Sequence, residues 1–201
     1  MNNRRKLLVA LGAGALAAPL SCFAQQQPAK VARIGYLGAT SAARNSSQLE
    51  AFRAGLRDLG YIEGKNLVIE FRWAEEKYER FPELAAELVR LNVDAIVTMG
   101  TPGTRAAKQA TATIPIVSAV SGDAVAAGLV ASLARPGGNI TGSTFFSPEL
   151  HAKRLELIKE AVPRIARVGF LMNPANSGSM TSVKVAEAAA KSLKVELRRF
   201  E

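Results

Sequence analysis

The chain has 201 residues but only one cysteine, Cys22, and one histidine, His151. Because Cys22 lies within the first 24 residues, the rest of the chain has no disulfide, no thiol nucleophile and no thiolate metal site. There is no second histidine for a metal centre. A Ser–His–Asp arrangement would have to use His151, and no G-x-S-x-G turn precedes it. His151 falls in the first turn of an expected helix, where facing solvent is the ordinary role.

Phosphate loops are missing as well. A Walker loop needs G-x-x-x-x-G-K-[ST], whereas Gly100 and Gly103 are three apart and Thr104 follows directly. The dinucleotide pattern G-x-G-x-x-G is absent from "YLGATSAAR", after the first expected strand. No catalytic residue, metal or cofactor is therefore expected. Aromatics make up 6% of the chain; Tyr36, Trp73 and Phe145 can pack on a ligand or in a core. The adjacent carboxylates Glu75 and Glu76 point apart on a strand or loop and are expected to be solvated.

The longest apolar run, Leu7 to Leu20, is shorter than the roughly 20 residues that cross a bilayer. It follows "MNNRRK" and precedes "CFA", with small Cys22 and Ala24 where a signal peptidase reads. Residues 1–24 are read as an export signal and 25–30 as a polar linker, so the mature chain begins at Gln25. Arg4-Arg5 leaves a twin-arginine route open beside the general one. Lipid anchoring at Cys22 fits less well, because Leu20 is separated from it by only one residue.

Net charge is +9, but Arg4, Arg5 and Lys6 belong to the leader, and the remainder carries 23 basic against 17 acidic side chains. These are scattered, so no nucleic-acid partner is expected.

From Val31 onward strand and helix patterns alternate. "VARIGYLG", "NLVIEFRW", "VDAIVTMG", "IPIVSAV" and "ITGSTFF" read as strands. "SSQLEAFRAGLRDLG", "RFPELAAELVRL", "TRAAKQAT" and "DAVAAGLVASLA" read as helices between them. Ser47 and Glu50 suggest a capping box, and Gly60 a helix stop. Such alternation builds a doubly wound parallel sheet with helices on both faces. The pattern restarts with a helix capped by Ser147 and Pro148, then strand "ARVGFLMN", helix "VKVAEAAAKSLK" and strand "VELRRF". This divides the chain into an α/β lobe over 31–146 and the start of a second, incomplete one over 147–201.

Ligands of open parallel sheets bind beyond the carboxyl ends of the strands. Those ends carry "GATSAARNSS", "GTPGT", "SGD" and "NPANSGS". Thr101, Ser121 and Asn173 are helix caps, ligand contacts or both, and Asp123 is either a ligand contact or the cap of the helix after it. In "GTPGT", Thr101 is expected as N-cap, with the N–H groups of Gly103 and Thr104 left to meet a carboxylate.

"GLRDLGYIEGKN", "SLARPGGNITG" and "KRLELIKEAVPRIARVGFLMNPAN" are long phrases that closely resemble the ABC transporter substrate-binding proteins of the tryptophan/tyrosine-type group. The likeness covers nearly everything after the leader. It implies a type I periplasmic-binding fold, in which two α/β lobes close on a small solute and present it to ABC permease subunits in the inner membrane. It also implies that Thr40, Ser41, Gly100, Thr101, Pro102, Ser121 and Asp123 line the first lobe, and Asn173 and Pro174 the second. Thr141 and Gly142 would lie near the hinge. Two complete lobes need about 80 or more residues beyond Glu201. The expected solute is a small organic molecule with a carboxylate, an aromatic amino acid being one candidate. The rivals are a ligand-sensing domain of a transcription regulator, which a helix-turn-helix should precede, and an enzyme on the same sheet.

Overall fold

The computed structural model describes residues 31–144 and 149–201. The leader and linker, Phe145, Ser147 and Pro148 lie outside the described residues. Five parallel strands form the larger sheet: β1 (Ala32–Gly38), β2 (Leu67–Trp73), β3 (Ala95–Met99), β4 (Ile116–Ser121) and β5 (Ile140–Thr144), in the order β2-β1-β3-β4-β5. Helix α1 (Ser46–Asp58) joins β1 to β2, α2 (Phe81–Arg90) joins β2 to β3, and α3 (Thr101–Ala110) joins β3 to β4. A second sheet pairs β6 (Arg167–Leu171) with β7 (Glu196–Phe200), also in parallel, and α4 (Glu149–Ala161) and α5 (Ser177–Ser192) accompany it.

The period-2 alternation of the strands divides the core of the larger sheet into two layers. Tyr36, Leu67, Ile69 and Val97 face α1 through Leu49, with Phe52 and Leu56 packed against them. Their neighbours Leu37, Ile96 and Ile116 face α2 and α3 through Phe81, Leu84, Leu88 and Ala107. Leu88 lies directly on β1, where a Cβ added to Gly35 would meet its Cδ2 at 2.9 Å. In the second sheet Leu155 of α4 and Ala186 and Ala190 of α5 pack on Val168, Phe170 and Leu197. Tyr36 and Trp73, candidates for ligand stacking, form an aromatic cluster with Phe52 and Phe71, with ring centroids 5.3–6.0 Å apart. Burial raises the Tyr36 phenol above its ordinary pKa.

Gly60 stops α1 as expected: at φ 86° it donates to Arg57 O, while Tyr61 N–H reaches back to Leu56 O. Several local expectations fail; α5, for one, begins at Ser177, six residues before the expected "VKVAEAAAKSLK". Ser47 and Glu50 make no capping box; a short 3-10 turn, Ala43–Asn45, runs straight into α1. The helix expected over "DAVAAGLVASLA" is a single turn. Asp123 Oδ1 caps it by accepting from Val125 and Ala126 N–H, at 3.0 and 2.9 Å. Gly128, at φ 67°, ends it at once: Gly128 N–H donates to Val125 O and Leu129 N–H to Ala124 O. A strong start and a strong stop five residues apart leave no room for propagation.

Candidate functional site

Strand β1 lies between β2 and β3, so the chain leaves β1 toward one face of the sheet and β3 toward the other. In sheets of this kind the ligand crevice lies between those two turns, at the carboxyl edge. Its firmest wall is the turn from β3 into α3. Gly100, not Thr101, is the N-cap, at φ 87° and ψ 154°, a conformation open essentially to glycine alone. Thr101 and Pro102 are the first two helical residues, and the proline loses nothing there because helix N-termini have no internal partner for that N–H. Thr104 N–H is not available to a ligand: it donates to Gly100 O at 3.2 Å. This corrects the expectation drawn from "GTPGT".

Thr101 is buried, and three segments meet on it. Its Oγ1 accepts the Gly122 N–H at 3.2 Å, which ties the β4 turn to α3. On the other side stands the first turn of α5, where a Cβ added to Gly178 would lie 3.0 Å from the same oxygen. The cap of α5 is Asn176, whose Oδ1 accepts from Gly178 N–H at 3.0 Å. Asn173 closes a turn on Ala175 N–H at 2.9 Å and is exposed, as is Pro174.

The other expected site residues stand at varied distances from that meeting point. Ser121 is buried beside Gly122, while Asp123 is committed to the turn described above. Thr40 Oγ1 accepts from Asn45 Nδ2 at 2.5 Å, and Ser41 O accepts both Asn45 donors, its Nδ2 at 2.9 Å and its N–H at 3.2 Å. Asn45 thus holds the turn after β1. Glu75 and Glu76, both at positive φ, pair with Arg80 and Arg44 on the exposed surface. Thr141 and Gly142 lie on β5, the edge strand, with Gly142 at φ 138°; a Cβ there would stand 2.0 Å from Ser118 O. That close approach coincides with the shift of register between β4 and β5.

Beside the crevice, a cleft of about 410 Å³ separates the starts of α2 and α3 from the loop before α5. Tyr78, Pro82, Pro102 and Arg105 line one side, Ala175 and Ser177 the other. Arg105 Nη2 donates to Ala127 O at 3.0 Å, and its Nε is buried with no hydrogen-bond partner among the described residues. The sequence reading missed Tyr78, Arg105 and Ser177. Arg105 was within reach, one helical turn after Thr101 on a helix already placed at the site. Among the described residues no three His, Cys, Asp or Glu side chains are grouped to hold a metal, and no helix is long and apolar enough to cross a membrane.

A doubly wound five-stranded sheet, with a second α/β layer set against its carboxyl edge, is the architecture of the type I periplasmic-binding proteins. Residues 42–201 match the family described as ABC transporter substrate binding protein, and the chain belongs to that family. It is 36% identical over 135 residues to a tyrosine-binding protein of Clostridioides difficile, covering 67% of this chain and 38% of that protein. An ABC domain in complex with L-Trp from Streptococcus pneumonia superposes with a TM-score of 0.72 at 28% identity, over 84% of this chain and 56% of the other. The ligand-free, open structure of a substrate binding protein with adhesive properties from Clostridium difficile gives 0.60 at 28% identity, over 85% and 57%. The chain thus spans less than two thirds of the length of each.

Proposed function

We propose that this chain is the solute-capturing part of an exported substrate-binding protein. It holds a small organic solute bearing a carboxylate, an aromatic amino acid foremost, and hands it to ABC permease subunits without chemical change. Residues 1–24 act as the export signal to the periplasm. The lobes are 31–146 and 147–201, and Thr141 and Gly142 lie at the hinge between them.

The observation that carries this reading is the convergence on Thr101 of the turn after β3, the turn after β4 and the start of α5. Two helix N-termini, those of α3 and α5, face one crevice, and their dipoles favour a carboxylate there. Gly100, Thr101, Pro102, Ser121, Asn173 and Pro174 line the crevice, with Thr40 and Ser41 at its β1 end. Asp123 contributes through its turn. The aromatic preference draws support from the tyrosine and tryptophan named for the relatives. Closure follows if the solute contacts both walls at once and so binds the closed form better than the open one.

Calorimetric titration of the purified protein with L-tyrosine, L-tryptophan and L-lysine tests the reading. Saturable binding of one aromatic amino acid, with L-lysine silent, is expected. No heat from any of them, or turnover of the ligand, would overturn it.

A further inference from the structure

Beneath the Gly100 turn lies a set of buried hydroxyls. Thr98 of β3, Thr104 of α3 and Ser118 of β4 are all buried. Thr104 Oγ1 stands 2.7 Å from Thr98 Oγ1, 3.2 Å from Ser118 Oγ and 2.9 Å from Gly100 O. The proton positions follow from chemistry. A hydroxyl has one proton and two lone pairs, and a carbonyl only accepts. Thr104 therefore gives its proton to Gly100 O, and Thr98 and Ser118 donate to Thr104. Every donor and acceptor site on the Thr104 hydroxyl is then used.

Gly100 O receives two donors from one residue, the Thr104 hydroxyl and the Thr104 N–H at 3.2 Å. The Gly100–Thr101 peptide is trans, so fixing its carbonyl toward the helix turns the Thr101 N–H the opposite way, out of the N-terminal end of α3. Gly100 supplies the backbone freedom for that orientation; the first main-chain bond of α3, from Thr104 N–H, holds it, and the Thr104 hydroxyl adds a second hold.

We propose that Thr104 is a positioning residue for solute binding: its hydroxyl locks the Gly100 carbonyl and thereby aims the Thr101 N–H at the ligand. The inference rests on the binding function proposed above. Thr98 and Ser118 hold the Thr104 hydroxyl in the rotamer that donates to Gly100, so that β3, β4 and α3 all set the direction of one peptide plane.

The test compares Thr104→Val, which keeps the shape and deletes the donor, with Thr104→Ser, which keeps the donor. L-Tyrosine and L-tryptophan are the probes, by calorimetry, and amide hydrogen exchange is read residue by residue without ligand. Thr104→Val is expected to weaken binding about tenfold, because ligand binding must then supply the hold on the turn that one buried hydrogen bond gave beforehand. It should also speed exchange over residues 100–104 while α1 keeps parental rates. Thr104→Ser should stay within about threefold of the parent in affinity and keep its exchange pattern. If Thr104→Val does not fold, Thr104→Cys, a much weaker donor of similar size, is read in the same way. Parental affinity and parental exchange in the Val or Cys variant would overturn the proposal, as would equal losses in the Ser variant. A parent chain that binds neither amino acid overturns the binding function; exchange over residues 100–104 then still decides whether Thr104 holds the turn.

Discussion

Thr101 and Gly178 stand on helices that accompany different sheets, and the second approaches the first so closely that a side chain there would crowd the contact. A Cβ on Gly178 would lie 3.0 Å from Thr101 Oγ1 and 3.4 Å from Thr101 Cβ. The position is the second of α5, where any residue fits the backbone, and the same Cβ would stand 3.2 Å from Asn176 Oδ1, the cap of that helix. Gly178→Val should therefore wedge the walls apart. Affinity for the aromatic amino acid is expected to fall by about 1–3 kcal/mol, the usual cost of overpacking a tight contact. Small-angle scattering in the presence of the ligand should show a more open molecule, with a small loss in melting temperature from the crowded Asn176 cap. Parental affinity would mean that the two helices do not meet in the bound form.

Thr101→Val keeps the shape of its side chain and removes the acceptor for Gly122 N–H. The expected loss in ligand affinity is about 1–2 kcal/mol, with a smaller loss in stability. Unchanged affinity beside a large drop in melting temperature would reduce Thr101 to a bond between two turns and place the ligand elsewhere.

Gly142→Ala tests the join between β4 and β5. The φ of 138° and a Cβ only 2.0 Å from Ser118 O leave no place for a methyl group. A destabilisation of more than about 3 kcal/mol in urea unfolding is expected, since backbone strain and a clash with main chain add. Parental stability would show that the two strands separate there in solution, as a hinge would allow.

His151 lies on α4 with its ring 5.6 Å from that of Phe170. Burial, and secondarily the positive charge of Arg154, lower its pKa below 6.5. The unfolded chain then takes up the proton first as pH falls, so stability is fully present above pH 6.5 and declines below it, through the folded-state pKa. The imidazole is only partly buried, so the effect is small. His151→Gln should flatten the melting temperature between pH 7 and pH 5 relative to the parent, and leave ligand affinity at pH 7.5 unchanged. Equal slopes in both proteins would contradict this.

The sheet was legible because its signals are collective: five apolar runs alternate with helical periods. Gly60 was legible because one residue does one job at a helix end. The failures are places where two local signals compete. Asp123 starts a helix and Gly128 stops it, and a window average over "DAVAAGLVASLA" hides the stop. In "GTPGT" the register of the cap slipped by one, because Gly100 and Thr101 both suit that position and only the backbone angle decides. Asn176, the cap of α5, is one of two asparagines in "NPANSGS", and composition cannot rank them. The contact of Thr101 with Gly122 and α5 joins residues 21 positions apart and more, which no local period encodes.

A crystal structure grown with L-tyrosine or L-tryptophan, whichever titrates, tests the central claim most directly. The ligand carboxylate should lie between the Gly100–Thr101 turn and the first turn of α5, within hydrogen-bond distance of the Thr101 N–H. An amino acid bound elsewhere, or an empty crevice at saturating ligand, would contradict it.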